Sequence, residues 1–240
     1  MLEIKNLTKT YSGGKAAVDN LTLTVNPGDI YGFIGHNGAG KTTTIKSIVG
    51  IHQFDSGEIR INGISIKENP IGCKQIMAYI PDNPDLYDCL TGIQYLNFIA
   101  DIYQISQKDR QDRIRKEADD FEITPVLGDL ISSYSHGMKQ KLALISALIH
   151  KPKLLVLDEP FVGLDPKASV LLKKKMKELC SEGSAIFFST HVLEVAEKLC
   201  NRIAVISQGK LQLAGETSVL TQEKSLEQIF MEVAVHDKTD

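Results

Sequence analysis

The chain is poor in cysteine and has no long apolar run. Its four cysteines among 240 residues are widely spaced, and no Cys-x-x-Cys pair indicates a zinc site or a dithiol redox motif. They are Cys73, Cys89, Cys180 and Cys200. No apolar stretch approaches the length of a membrane-spanning helix, and the first residues lack the apolar segment of a signal peptide. These absences predict a cytosolic protein with reduced thiols that does not cross a membrane by itself.

A strong charge of either sign is also missing. Lys and Arg number 27 against 30 Asp and Glu, so the formal charge is −3. This balance gives no general attraction to nucleic acid or to an anionic membrane, and we expect no nucleic-acid partner. One lysine cluster shares a helical pattern with apolar residues, so we interpret it as a solvated helix face. The cluster consists of Lys173, Lys174, Lys175 and Lys177.

A glycine-rich stretch at residues 35–43 is the most specific motif. It reads Gly-His-Asn-Gly-Ala-Gly-Lys-Thr-Thr and fits the pattern G-x-x-x-x-G-K-[ST] in full. A strand-like apolar run at 29–34 precedes it, and helical spacing at 42–49 follows. This order predicts a phosphate-binding loop in which Lys41 supplies charge to the outer phosphates and Thr42 supplies a hydroxyl to Mg²⁺. The predicted nucleotide-binding residues of the loop are Gly35, Asn37, Gly38, Ala39, Gly40, Lys41, Thr42 and Thr43.

Apolar periodicity divides the chain into three parts. Alternation at 2–11 and 21–25, with an Asn62-Gly63 hairpin signal inside 57–66, predicts a small antiparallel sheet near the N-terminus. A strand follows at 76–80, and the chain is then mainly helical to about residue 150. From residue 154 strands alternate with helices, which favours a largely parallel sheet. We expect helices at 90–103, 106–121, 166–180, 193–200 and 225–235, strands at 154–157 and 185–189, and a hairpin of 203–207 with 210–213.

Two acidic residues, Asp158 and Glu159, directly follow the aliphatic strand at 154–157. Ligands bind at the carboxyl ends of strands in open α/β sheets, so both carboxylates are expected beside the phosphate loop. In phosphate-loop nucleoside triphosphatases the first such acid helps to hold Mg²⁺. Asp158 is therefore the predicted metal ligand, and Glu159 is the predicted catalytic group that polarises the attacking water.

Residues 134–140, Tyr-Ser-His-Gly-Met-Lys-Gln, lie between the phosphate loop and these acids, directly before a helical pattern. Gly163-Leu164-Asp165-Pro166 and Thr190-His191 follow later. In this order the motifs resemble those of the nucleotide-binding subunit of an ABC transporter, over nearly the whole chain. The family's signature motif is Leu-Ser-Gly-Gly-Gln, whose serine and second glycine reach the γ-phosphate held by the opposite subunit. Ser135 and Gly137 match those two positions, whereas Tyr134, His136 and Met138 depart from the motif; we call residues 134–140 the signature turn.

The resemblance assigns roles to four further residues. Asp165 would lie in the loop that crosses the dimer interface, and His191 would contact the γ-phosphate as a catalytic polar group. Tyr11 falls where the family places an aromatic ring that stacks on adenine. Asp82 stands where the family has a glutamine in the Mg²⁺ shell, and an aspartate can still bind the metal or accept from metal-bound water. The segment after Asp82 resembles the export-type branch of the family.

The resemblance also implies the fold. We expect an α/β protein with a RecA-like phosphate-loop NTPase core, a mostly parallel sheet, an N-terminal antiparallel β subdomain and an inserted helical subdomain. Residues 1–240 would form a single ATP-binding domain. The core with its β subdomain would comprise 1–82 and 151–215, the helical subdomain with the signature motif 83–150, and a C-terminal helical tail 216–240.

The implied function is ATP hydrolysis coupled to transport. Two copies, or one copy and a paralogue, would sandwich two ATP-Mg²⁺ and drive a separate transmembrane permease, which would hold the chain at the inner face of the cell membrane. Export is the favoured direction.

Three alternatives are less consistent with the motifs. A soluble ABC-type ATPase acting on DNA or ribosomes would carry a long coiled-coil insertion or a second such domain, and neither is present. A GTPase would need an Asn-Lys-x-Asp motif, which is missing, and a small-molecule kinase would not need Ser135 or Asp165. A non-hydrolytic regulatory binder would not need Glu159.

Overall fold

The computed structural model describes the backbone of residues 1–236 and the side chains of residues 1–233. Within this range the strands form two sheets, a four-stranded one and a six-stranded one. The strands are β1 (Leu2–Thr10), β2 (Ala16–Val25), β3 (Ile30–Ile34), β4 (Ser56–Ile61), β5 (Ile64–Ser65), β6 (Met77–Ile80), β7 (Leu154–Asp158), β8 (Ala185–Thr190), β9 (Arg202–Ser207) and β10 (Lys210–Glu216).

The smaller sheet is antiparallel throughout and has the order β2-β1-β4-β5. The tight turn between β4 and β5 is made by Asn62 and Gly63, both with positive φ, as a two-residue hairpin requires. The larger sheet has the order β10-β9-β3-β8-β7-β6, and only the edge pair β10–β9 is antiparallel. The mixed α/β architecture with a mostly parallel sheet is therefore confirmed.

Along the chain, most of the helices connect one strand to the next. They are α1 (Lys41–Ile48), α2 (Pro70–Gln75), α3 (Gly92–Ile102), α4 (Gln107–Asp120), α5 (His136–Leu148), α6 (Pro166–Ser181), α7 (Leu193–Leu199), α8 (Thr217–Leu220) and α9 (Leu226–His236). Short 3₁₀ turns at Thr124–Val126 and Ile131–Ser133 connect α4 to α5. No helix in this described part combines the length and apolarity that crossing a bilayer requires.

The larger sheet is covered on both faces, which explains why its central strands are apolar without alternation. On one face, side chains such as Phe33 and Val156 pack with the antiparallel sheet and α1. On the other face, Ile34 and Leu155 pack with the helical segment between residues 92 and 149 and with α6. Each buried aliphatic or aromatic side chain contributes about 1.5–3 kcal/mol. Because one apolar cluster includes both the helical segment and the core, these two parts are packed together.

Side-chain caps fix where several helices begin, among them α3, α5 and α6. Thr91 and Gln94 form a reciprocal capping box at the start of α3. The Ser135 hydroxyl accepts from the Met138 N–H at the start of α5, and the Asp165 carboxylate accepts from the Ala168 N–H at the start of α6. Two segments that the resemblance singles out are thus also helix N-termini.

Some sequence predictions were wrong in extent. β2 begins at Ala16 rather than at residue 21, and α3 begins at Gly92 rather than at residue 90. The six-residue helix α2 was not predicted, although Asn69 caps it and Pro70 occupies its first turn. The proposed tail from residue 216 contains α8 and α9, and its last residues, 237–240, lie outside the described part.

The interpretation of the 173–177 lysines as a solvated face was wrong for Lys175. Its side chain is buried and its ammonium contacts the carboxylates of Glu117 and Asp120 on α4. Burial alone would lower the pKa of Lys175, but the hydrogen bonds that its ammonium donates to both acids outweigh burial, and the pKa is raised. The helical pattern was right, but this lysine faces a neighbouring helix and not water.

Candidate active site

The phosphate loop connects the central strand β3 to α1. A Cβ added to Gly40 would lie 2.4 Å from the Ala17 carbonyl oxygen, and one added to Gly35 would lie 2.6 Å from the Ile206 carbonyl oxygen. Gly40 also has a φ of 108°, which side chains disfavour. Glycine is therefore required at both positions, because backbone from β2 and β9 closes on the loop.

Lys41 is almost fully buried, with 6% of its surface exposed. Its ammonium donates to the carbonyl oxygens of Gly35 at 2.7 Å and His36 at 3.3 Å, so the loop curls around its own lysine. The Glu159 carboxylate lies 3.5 Å from the same ammonium. A buried cation at the first turn of α1, beside the helix N-terminus, makes this a site for an anion.

Asp158 ends β7 and is 1% exposed. One carboxylate oxygen accepts from the Thr42 hydroxyl at 2.9 Å, and the other accepts from the Ser189 hydroxyl. The Ser189 hydroxyl also accepts from the Glu159 N–H at 3.0 Å. β7 and β8 are parallel neighbours with Asp158 opposite Ser189, so the register of the sheet creates this network.

Glu159 has the unusual φ of 48°, one residue beyond the strand. This left-handed conformation is costly for a residue with a side chain and is found often at functional sites. It places one carboxylate oxygen 3.5 Å from the Lys41 ammonium and the other 3.0 Å from His191 Nδ1. The carboxylate thus lies between the phosphate loop and the end of β8.

A cavity of about 240 Å³ unites most of the predicted residues. Asp82 lines it together with the phosphate loop and both acids, and its carboxylate accepts from the Asn83 N–H. Of the predicted loop residues, Gly35 and Ala39 do not line the cavity. The lining residues are Ala17, His36, Asn37, Gly38, Gly40, Lys41, Thr42, Thr43, Asp82, Asp158 and Glu159.

Sequence reasoning missed three residues of this site. Ala17 reaches the cavity because β2 starts earlier than predicted. His36 lies within the motif, and its Nε2 is 3.2 Å from the Ser207 hydroxyl. Ser189 bridges both acids, and its position just before Thr190-His191 at a strand end was the available signal.

Tyr11 lies near the cavity but does not line it. The ring is 46% exposed, its hydroxyl is 3.4 Å from the Thr43 hydroxyl, and it meets the His52 ring edge-on at 5.9 Å. The Lys9 ammonium lies over the same ring, 5.5 Å from its centre, and stacking of Tyr11 on adenine stays a prediction.

The signature turn and Asp165 form a second group outside the cavity. Ser135 is exposed at the N-terminus of α5, and Gly137 packs against residue 163 of the following loop. Asp165 makes an ion pair with Lys141 at 2.7 Å. The hydrogen bond from Lys141, together with that from the Ala168 N–H, holds the pKa of Asp165 below its usual value.

The donor set fits a magnesium nucleotide. Thr42 and Asp158 offer hard oxygen ligands at one point of the cavity, as Mg²⁺ prefers. In the described part of the chain no three acidic, His or Cys side chains converge on one metal position. An ion here would rely on phosphate oxygens and water for the rest of its shell, which is usual for Mg²⁺ at nucleotide sites.

Comparisons with known proteins agree on one family. Residues 18–162 match the family described as ABC transporter. The ABC-type transporter ATP-binding protein EcsA of Bacillus subtilis (strain 168) is 33% identical, across 99% of this chain and 98% of EcsA. The linearmycin resistance ATP-binding protein LnrL of the same organism is 34% identical, across 90% of this chain and 69% of LnrL. A solved ATP-binding subunit of an ABC transporter, 33% identical, has a TM-score of 0.93 and covers 98% of this chain and 99% of its own.

Proposed function

The chain belongs to the ABC transporter family as an ATP-binding subunit and ATPase, and we propose that it dimerises around two ATP-Mg²⁺ and drives a separate transmembrane subunit. The position of the Glu159 carboxylate is the observation that supports hydrolysis at this site. It lies in the phosphate-loop cavity, between the Lys41 ammonium and His191 Nδ1. A carboxylate held there is placed to accept a proton from a water that attacks the γ-phosphate.

Phosphate binding rests on the loop and Lys41. Backbone N–H groups at the start of α1 point at phosphate oxygens, and the ammonium of Lys41 neutralises the outer phosphates. Thr42 and Asp158 would hold Mg²⁺, and Asp82 at the cavity wall would contribute to its shell. When bound, Mg²⁺ neutralises the charge that develops on the β- and γ-phosphates. Tyr11 supports the adenine ring.

Proton transfer rests on Glu159 and the residues that orient it. The Ser189 hydroxyl fixes the Glu159 backbone N–H, and His191 fixes the carboxylate. The other ring nitrogen of His191 contacts the γ-phosphate. The contact with His191 restricts the carboxylate and the contact with Ser189 restricts its backbone, and such positioning is how a general base gains rate.

Dimerisation completes the site. Ser135 and Gly137 do not line the cavity of their own chain, and Ser135 is exposed. A hydroxyl and an open N–H at a helix N-terminus suit a phosphate, so these groups serve the nucleotide of the partner subunit, and Asp165 lies in the interface between the two chains. Closing on ATP and opening after hydrolysis shifts a population of two states, which the transmembrane subunit reads.

The Glu159→Gln variant tests hydrolysis. Glutamine keeps the size of the side chain but cannot accept the proton, so we expect the hydrolysis rate to fall at least about a hundredfold. Nucleotide affinity, measured by titration with ATP-Mg²⁺, should stay within about threefold because no phosphate ligand is removed. Glu223→Gln, at an exposed position outside the cavity, is the matched control and should hydrolyse ATP at the parental rate. Full hydrolysis by Glu159→Gln would contradict the assignment.

The transmembrane partner and the export direction are supported by the family and by one surface. The rings of Tyr87 and Phe98 meet edge-on at 5.7 Å and are both exposed, in the segment that follows Asp82. Exposed aromatic pairs of this kind are typical of protein contacts. LnrL is named as a linearmycin resistance protein, and resistance commonly involves outward transport, so we propose export.

Capture of the partner tests this part. Glu159→Gln with ATP should hold the closed dimer, and we expect it to retain a multi-span membrane protein from detergent-solubilised membranes of the source cell. The same variant without nucleotide is the control and should retain less. Recovery of ribosomes or DNA-bound proteins with no membrane protein would instead support a soluble ATPase. Direction follows from whether vesicles containing the captured complex take up or release cargo from the ATP side.

A further inference from the structure

Two contacts within one chain join the signature turn and the part of α5 that directly follows it to the loop at residues 163–165. The first is the ion pair between Lys141 on α5 and Asp165 at the start of α6, with 2.7 Å between nitrogen and oxygen. The Lys141 side chain is only 15% exposed, whereas that of Asp165 is 47% exposed. The lysine is therefore largely covered, whereas the carboxylate that it pairs with faces outward.

The two oxygens of the Asp165 carboxylate have different partners. Oδ1 accepts a hydrogen bond from the Ala168 N–H at 2.8 Å and caps α6, and Oδ2 forms the ion pair with the Lys141 ammonium. The hydrogen bond from Lys141 lowers the pKa of Asp165 most, followed by that from the Ala168 N–H. The carboxylate is thus ionised at neutral pH, as the ion pair with Lys141 requires.

The second contact is between backbone and ring. Gly163 has a φ of 81°, and a Cβ placed on it would lie 2.6 Å from Cδ2 of His136. A Cβ on Gly137 would lie 3.2 Å from the Gly163 carbonyl oxygen. The loop and the signature turn are therefore in close contact at a second point, without room for a side chain at residue 163.

We infer that Lys141 is a positioning residue that acts through Asp165, holding the 163–165 loop against the signature turn so that Ser135 and Asp165 meet the partner subunit as one preformed surface. This inference rests on the proposed dimer. Lys141 does not line the cavity, and neither does its partner Asp165, so we expect Lys141 to have no part in nucleotide binding by its own chain. Its contribution is preorganisation, since segments ordered before association cost less to order on association.

The geometry separates two measurable quantities. Nucleotide affinity of the isolated chain depends on the cavity and should not involve Lys141. The ATP concentration that produces half-maximal dimer depends on the interface, where a two-fold arrangement would use the ion pair twice. A role limited to folding would move both quantities together.

The inference is tested by measuring dimerisation of variants that also carry Glu159→Gln. Analytical ultracentrifugation at increasing ATP concentrations gives the ATP concentration that produces half-maximal dimer. We expect Lys141→Ala to raise the half-maximal ATP concentration at least about fivefold, since a partly buried ion pair is lost at two places. Lys141→Arg should restore the parental value, because arginine keeps the charge. Lys198→Ala, which breaks an exposed 2.7 Å ion pair with Glu194 on α7, is the matched control and should leave dimerisation unchanged.

Asp165→Asn provides the second arm. Asparagine keeps the oxygen that caps α6 but loses the charge that pairs with Lys141, so it should weaken dimerisation as Lys141→Ala does. The double variant should be no weaker than either single variant, because both remove one interaction. Nucleotide affinity should stay at the parental value in all of them.

The outcomes distinguish this inference from the dimer itself. If the Glu159→Gln parent stays monomeric at saturating ATP, the proposed dimer is wrong and the inference falls with it. If the parent dimerises and Lys141→Ala dimerises at the same ATP concentration, the dimer stands and the inference is wrong. Loss of nucleotide affinity in both Lys141→Ala and Lys141→Arg would also overturn it, since that result means a folding role.

Discussion

The phosphate cavity and the signature turn both carry specific sequence motifs, but the polar groups of the two regions differ in burial. Lys41 and Asp158 are buried, and each is bonded to groups of the same chain. Ser135 and Asp165 face outward, and their bonds within the chain serve to cap helices and to pair with Lys141. We therefore expect the cavity to bind nucleotide in the isolated chain, whereas the role proposed for the signature turn requires a second subunit.

The largest effect that separates the two regions should come from Lys41→Ala. Removing the buried ammonium takes away a charge-assisted bond to phosphate and leaves Glu159 without its cation, so ATP affinity of the isolated chain should fall about a hundredfold. Equilibrium titration with a fluorescent ATP analogue measures this in the monomer. Undiminished affinity would mean that the nucleotide binds elsewhere.

Ser135→Ala is the counterpart in the outward-facing region. It should leave the affinity of the monomer unchanged in the same titration, because Ser135 does not line the cavity. A drop of the same size as for Lys41→Ala would remove the contrast between the two regions.

A smaller effect is expected from Ser189→Ala, which sharpens the comparison within the cavity. Ser189 is fully buried and bonds to both Asp158 and the Glu159 N–H, so its loss leaves two polar groups unsatisfied. Hydrolysis should slow about tenfold, as is usual when a group that orients metal ligands is removed. Ser184→Ala is the matched control, since Ser184 precedes β8 at its other end and bonds to the Pro152 carbonyl at 2.9 Å. If Ser189→Ala and Ser184→Ala hydrolysed ATP at the same rate in a steady-state assay, the role of Ser189 would be contradicted.

The sequence predicted the larger features of the fold because they follow from strong local patterns. The Asn62-Gly63 turn needs positive φ at both residues, and this pair of residue types is well suited to it. The early part of β2 was missed because Ala16 and Ala17 give little alternation. The helix α2 is too short for periodicity, so only its Asn69 cap and Pro70 could have indicated it.

The site was predictable in its residues more than in its connections. The phosphate loop and Asp158-Glu159 follow fixed spacings, and most of these residues do line one cavity. The pairing of Ser189 with Asp158 depends on which strands are neighbours, and spacing along the chain does not contain that information. The Lys175 ion pairs with α4 were missed for the same reason, since a lysine on a helix face gives no sign of an acidic neighbour. The roles assigned to the phosphate-loop residues, Asp158, Glu159, Ser135, Gly137, His191, Tyr11, Asp82 and Asp165 and the domain boundaries stay predictions.

The close approach of β2 and β9 to the phosphate loop has a further consequence for stability. Gly40 lies against the Ala17 carbonyl of the antiparallel sheet, and Gly35 lies against the Ile206 carbonyl of the parallel sheet. The two sheets therefore meet at the loop, and separating them would open it. A nucleotide that binds there favours the state in which both sheets are docked. Its binding free energy therefore stabilises the two docked sheets together and not one sheet alone. Such a chain should melt as one cooperative unit when ATP is present, and the N-terminal sheet should gain protection along with the core.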